Sequence, residues 1–213
     1  MVKRDYIVAR AASMFETQGV KSVRIDDIAS ELGMSKRTLY EMFDSKETLL
    51  KECMRHLFVE KQEKMWQEIE RLPDVVAVIF FLIDKQHNEK ANRERNERIR
   101  NNLQKFYPQV AQYVEEQISQ IGYEAMRELF ERGIREGLFR RDMKIDLSIS
   151  IFANTLMLIA MNKIKLHNNI SMDEAFEYMA INFFRGIATV KGVELIDAYH
   201  RKYRSSVQDG RTD

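Results

Sequence analysis

Apolar residues recur at helical spacing almost from the start of the chain. Ile7, Ala11, Met14 and Phe15 occupy i, i+4, i+7 and i+8, one face of a helix, and Gly19 stands where that helix would close. Ile25, Ile28, Ala29 and Leu32 repeat the pattern over two turns and stop at Gly33. Ser35 is placed to cap a third helix whose inward residues are Leu39, Met42 and Phe43. Asp44, followed three residues later by Glu47, predicts a capping box for a fourth helix carrying Leu49, Leu50, Cys53 and Leu57. This fourth helix begins the first of the long helices that the spacing predicts over 45–71, 74–106, 108–136, 145–168 and 171–204. Pro73 and Pro108 directly precede apolar runs, where proline suits a first helical turn. The mixed-charge stretch Asn92–Asn101 has no clear apolar stripe and is expected to break the second segment. Gly137 closes the third, and Gly186 and Gly192 weaken the last enough for it to divide in two. Residues 205–213 read as a frayed tail.

Composition narrows the class. Eight glycines and two prolines in 213 residues are too few for the frequent turns of a strand-rich fold, so the expected fold is all-α. A hydrophobic content of 45% beside 31% charged residues describes a chain that buries a core. The single cysteine, Cys53, cannot form an internal disulfide, which fits a reducing cytoplasm. Met1–Tyr6 is charged and lacks the apolar core of a signal peptide. Val75–Ile83 and Ile149–Met161 are too short for a span of about 20 residues, so no membrane helix is expected and the expected location is cytoplasmic.

Residues 25–43 carry the chemistry. Ile25–Leu32, the turn Gly33-Met34-Ser35 and Lys36–Phe43 form a helix-turn-helix pattern. With Leu39, Met42 and Phe43 turned inward, Lys36, Arg37, Tyr40 and Glu41 face outward and Thr38 lies on the shoulder. Arginine and lysine can donate to guanine edges or phosphates, and threonine and tyrosine can bond phosphate oxygens. The pattern sits in a wider match. Ala11-Ala12-Ser13-Met14-Phe15, Gly19, Asp27-Ile28-Ala29, Gly33-Met34-Ser35, Thr38-Leu39-Tyr40-x-x-Phe43 and Ser45-Lys46-Glu47-x-Leu49 together resemble the headpiece of TetR-family transcriptional regulators. The remainder matches that family only in helix count and in Glu136–Asp142 before a long apolar helix.

The resemblance implies an all-α chain. It would have a three-helix headpiece at 1–50, a larger helical ligand-binding and dimerisation domain at 51–204, and the tail at 205–213. It implies that Thr38, Tyr40 and Lys46 contact the DNA backbone or nearby bases, and that Lys36 and Arg37 read bases. One position departs from the family, which commonly caps the second helix with Ser or Thr where this chain has Arg24. Arginine cannot accept from the first N–H groups, a loss of about 1 kcal/mol. Asp26 and Asp27 offset part of it through the helix dipole, and Arg24 is left to reach a phosphate. Residues 1–50 hold eight basic and eight acidic side chains, so the headpiece lacks a strong basic footprint.

Other residues suggest a ligand. Asp84 and His87 share one helical face beside an apolar wall, although such a pair also suits a helix leaving the core for solvent. Ser150, Asn154, Met157 and Met161 follow one side of the most apolar helix. Sparse polar groups among adaptable methionines suit either a cavity or a subunit interface. Cys53 and His56 share a face, but no third orienting group accompanies them, so no catalytic set is expected. No cofactor and no metal site are implied, and an enzyme is not expected. The resemblance implies a homodimeric, sequence-specific DNA-binding regulator paired through its last two long helices. It would bind a double-stranded, pseudo-palindromic operator and be released by an unknown small-molecule effector; repression follows from the resemblance alone. The alternative is a helical small-molecule-binding module that no longer binds DNA.

Overall fold

The computed structural model describes residues 4–88, 90–160 and 170–209. Among them it contains α1 (Arg4–Gln18), α2 (Ile25–Glu31), α3 (Lys36–Met42), α4 (Lys46–Met54), a π-helical turn (Arg55–Val59) and α5 (Glu60–Glu70). These are followed by α6 (Val75–Asn88), α7 (Lys90–Phe106), α8 (Pro108–Arg135), α9 (Ile145–Ala160), α10 (Met172–Ile187) and α11 (Val190–Asp209). The chain divides into two compact units, residues 1–66 with 90–122, and residues 67–89 with 123–213.

In the first unit α1 packs on α4 and on the π-turn, and α2 packs on α3. The predicted inward residues Ile7, Ala11, Phe15, Ile28, Leu39, Phe43, Leu49 and Leu50 form one buried cluster with Ile99, Leu103, Val110 and Val114. Gly19 and Gly33 lie at φ +88° and +62°, a conformation costly for any other residue, and they stop α1 and separate α2 from α3. Cys53 is buried with its thiol against the Val8 carbonyl, and burial pushes that thiol up from its ordinary range. His56 instead pairs with Glu60, its Nδ1 2.9 Å from Oε2.

Two predicted boundaries change. The fourth helix is capped by Ser45, whose Oγ accepts from the Thr48 N–H at 3.1 Å, and not by Asp44. The Asn92–Asn101 stretch lies inside the continuous helix α7, because Ile99 and Leu103 supply a short apolar stripe.

In the second unit α6 packs against α10 and α11, and α10 also meets α9. Asp74 caps α6, accepting from the Ala77 N–H at 2.8 Å. Phe130, Phe139, Phe152, Phe183 and Phe184 form an aromatic core, with Phe139 stacked on Phe184 at 5.8 Å and edge-on to Phe130 at 6.0 Å. After Gly137 (φ +70°) the chain runs antiparallel to the α10–α11 junction. Arg140 N–H donates to the Ile187 carbonyl and Thr189 N–H to the Leu138 carbonyl, both at 2.9 Å. The segment 171–204 is thus two helices, parted at Ala188–Thr189. Neither glycine makes the break. Gly192 is there because a side chain would meet the Leu138 carbonyl oxygen at 2.1 Å. Met161 lies outside the described residues.

Candidate nucleic-acid interface

Helix α3 is seven residues long and would be marginal alone. Ser35 closes its N-terminus: the Oγ accepts from the Thr38 N–H at 3.0 Å and lies 2.8 Å from Thr38 Oγ1. Leu39 and Phe43, each 1% exposed, anchor its inner face in the headpiece core. That register leaves Lys36, Arg37, Thr38, Tyr40 and Glu41 exposed together, as the spacing predicted.

Two of these side chains are held by carboxylates. Lys36 Nζ lies 3.0 Å from Asp26 of α2, a bond that raises the Lys36 pKa, and Arg37 Nε lies 2.9 Å from Glu41 one turn on. Both pairs are solvent-exposed, where water and salt screen the attraction and leave it weak. A phosphate or a guanine edge can therefore displace either carboxylate at small cost.

The other expected contacts differ in freedom. Arg24 is exposed at the N-cap of α2 and makes no side-chain cap; the Asp27 carboxylate compensates by accepting from the Arg24 N–H at 2.8 Å. Tyr40 is free to reach outward. Lys46 is partly buried and donates to the Val20 and Val23 carbonyls at 3.2 and 2.6 Å, with its ammonium 5.4 Å from the Tyr107 ring. It ties the α1–α2 turn to the start of α4, an anchoring role that its position in the motif did not disclose.

The residues singled out for a ligand are spread over the second unit. Asp84 is exposed and accepts from Asn88 at 3.0 Å. His87 Nδ1 lies 2.9 Å from the Ile83 carbonyl and 3.1 Å from the Tyr203 hydroxyl, and Nε2 is 3.9 Å from Glu177. Burial raises the Tyr203 phenol to about 12. Asn154 bonds its own helix at the Ser150 carbonyl, and Met157 is exposed beside it on α9. A separate open groove of about 680 Å³ is lined by Thr155, Ile159, Tyr178, Met179, His200 and Arg204 among others, and by none of those four residues. Periodicity could not find it, because it is assembled from three helices. Among the described residues no group of three or more His, Cys, Asp or Glu side chains is arranged to hold a metal ion. No described helix is long and apolar enough to cross a membrane.

Comparison with known proteins decides what this headpiece is. The profile of the bacterial regulatory proteins of the tetR family matches residues 7–53, the capped and core-locked helices just described. Residues 7–53 are a headpiece of the tetR family of bacterial regulatory proteins. It is 25% identical over 160 residues to the HTH-type transcriptional repressor KstR2 of Mycolicibacterium smegmatis, covering 72% of this chain and 75% of that one. KstR2 of Rhodococcus jostii is 26% identical over 165 residues, with 72% and 76% covered. In fold, a transcriptional regulator from Cytophaga hutchinsonii aligns with TM-score 0.65 at 21% identity, over 87% of this chain and 98% of its own. A putative regulator from Saccharomonospora viridis, solved with choline, aligns with TM-score 0.63 at 20% identity, over 86% and 96%. The chain is accordingly a DNA-binding transcriptional regulator, and the two KstR2 relatives are HTH-type transcriptional repressors.

Proposed function

We infer that this regulator is a homodimeric repressor whose α3 helices enter successive major grooves of a pseudo-palindromic operator, roughly 34–36 Å apart. The observation that carries the reading is the outer row of α3, Lys36, Arg37, Thr38 and Tyr40, presented by a helix fixed through Ser35, Leu39 and Phe43. Lys36 and Arg37 read bases after leaving Asp26 and Glu41; Arg24, Thr38, Tyr40 and Lys46 position the backbone. Dimerisation through α9 and α10 is supported by Leu147, Ile151, Met157 and Leu158, each about half exposed on α9, and by the exposed Tyr178 of α10. A small-molecule effector in the second unit releases the operator by favouring a dimer whose headpieces no longer match that spacing; differential affinity of about 10⁴-fold is enough for a near-complete switch.

The test is selection of bound fragments from the source genome at physiological salt, with protein also tested after unfolding and refolding to strip any carried effector. Enrichment of a short palindrome, lost in the Lys36→Glu/Arg37→Glu double variant, is the expected result. Specific binding that survives in the double variant would show that α3 is not the recognition helix. In vitro transcription from the selected promoter should fall as protein is added; a rise would make the protein an activator.

A further inference from the structure

The first unit carries a second concentration of positive charge beyond the outer row of α3. Lys21, in the α1–α2 turn, holds its ammonium 4.7 Å from the centre of the Phe106 ring, and the Lys105 ammonium lies 5.4 Å from the same ring. The next ring, Tyr107, faces the Lys46 ammonium at 5.4 Å. The corner between α7 and α8 thus gathers three ammonium groups on two adjacent rings. An aromatic face positions a cation without cancelling its charge, unlike the carboxylates that hold Lys36 and Arg37. Among the described residues neither Lys21 nor Lys105 is paired with a carboxylate.

This corner is packed onto the headpiece. Ile99 and Leu103 of α7 are buried in the headpiece core, and Arg95 pairs with Glu16 of α1 at 3.0 Å. That packing leaves Arg98, Arg100 and Lys105 exposed on α7, whose sequence holds six basic residues against Glu94 and Glu97. Continuity with the DNA-facing helices runs through Lys46, which bonds the carbonyls of Val20 and Val23 on either side of Lys21, just ahead of Arg24 at the cap of α2.

We propose that Lys21 and Lys105, set on Phe106, form a shelf that grips DNA phosphates flanking the half-site. The proposal rests on the DNA-binding reading and extends the contact surface to a part of the chain outside the family match. It also adds the positive charge of Lys105 on α7 to a headpiece with equal numbers of acidic and basic residues, strengthening its sequence-independent attraction to DNA.

The test measures operator affinity against salt for the wild-type protein, for Lys21→Gln/Lys105→Gln and for the charge-preserving Lys21→Arg/Lys105→Arg. Two duplexes are used, one with flanking DNA and one trimmed to the half-sites. Each phosphate contact contributes a slope of about 0.9 in log affinity against log salt. Losing two per protomer should therefore shrink the change in affinity between 50 and 200 mM salt by about 12-fold per protomer. Base preference should be unchanged, the arginine variant should keep the wild-type slope, and trimming should bring wild type down to the glutamine variant. A glutamine variant with the wild-type slope on the long duplex overturns the shelf alone. Wild-type protein that binds no duplex at any salt overturns the DNA-binding reading as well.

Discussion

Two glycines of α8 should respond in opposite ways to the same substitution. A methyl group added at Gly122 meets nothing within 4 Å, whereas one at Gly133 falls 2.1 Å from Cδ2 of the Phe139 ring. Alanine at a helical position gains roughly 0.8–1 kcal/mol over glycine, so Gly122→Ala should stabilise by up to about 1 kcal/mol. At Gly133 that gain is opposed by overpacking, which costs about 1–3 kcal/mol in a filled core. The upper end applies, because Phe139 is 1% exposed and wedged between Phe130 and Phe184, and relief requires a shift of more than about 1 Å. The net expectation for Gly133→Ala is destabilisation of about 2 kcal/mol. In a chain of this size that lowers Tm by roughly 4–8 °C, while Gly122→Ala raises it by about 2–4 °C. Far-UV circular dichroism melts at one fixed protein concentration give the comparison, since self-association makes Tm concentration-dependent. A Gly133→Ala protein that melts at or above wild type would refute the claim that Phe139 fills the space above α8.

Two further outcomes are expected. Ser35→Ala should cost about 1 kcal/mol by removing the acceptor for the Thr38 N–H, and should weaken operator binding more than it lowers Tm, because the frayed turn carries Lys36 and Arg37; equal binding by the variant would sink the cap's role in recognition. Cys53 should resist a thiol reagent in the native protein at neutral pH and react only on unfolding, since burial holds the thiol protonated. Rapid labelling of folded protein would contradict that placement.

Local rules made much of the headpiece legible in the sequence. Gly19 and Gly33 mark helix ends because only glycine adopts those positive φ angles cheaply, and Leu39 with Phe43 fixes which residues of α3 face outward. The cap of α4 was harder, since Asp44 and Ser45 each have a suitable partner three residues on, and only the backbone geometry selects Ser45. Helix α7 was hidden because two buried residues, Ile99 and Leu103, hold a helix otherwise made of charge. Pairings between distant segments left no local trace. Lys36 with Asp26, Lys46 with the Val20 and Val23 carbonyls, and Lys21 with Phe106 depend on how the helices pack.

The π-helical turn at Arg55–Val59 records a change of helical phase. Continuing the inward stripe of Leu50, Cys53 and Leu57 at 3.6 residues per turn would bring Lys61, Lys64 and Glu68 inward. The wider turn absorbs one extra residue, so the stripe resumes at Met65, Trp66 and the buried Ile69, while Lys61, Lys64 and Glu68 stay exposed. The consequence concerns chain length. Deleting one residue within 55–59 should convert the π-turn to ordinary α-helix and keep the same downstream face inward, whereas the same deletion in the middle of α4 should misplace Cys53 and Met54. Soluble yield and melting of the two deletion variants would tell them apart, and equal damage from both would mean that the turn is not a reserve of slack in the helix.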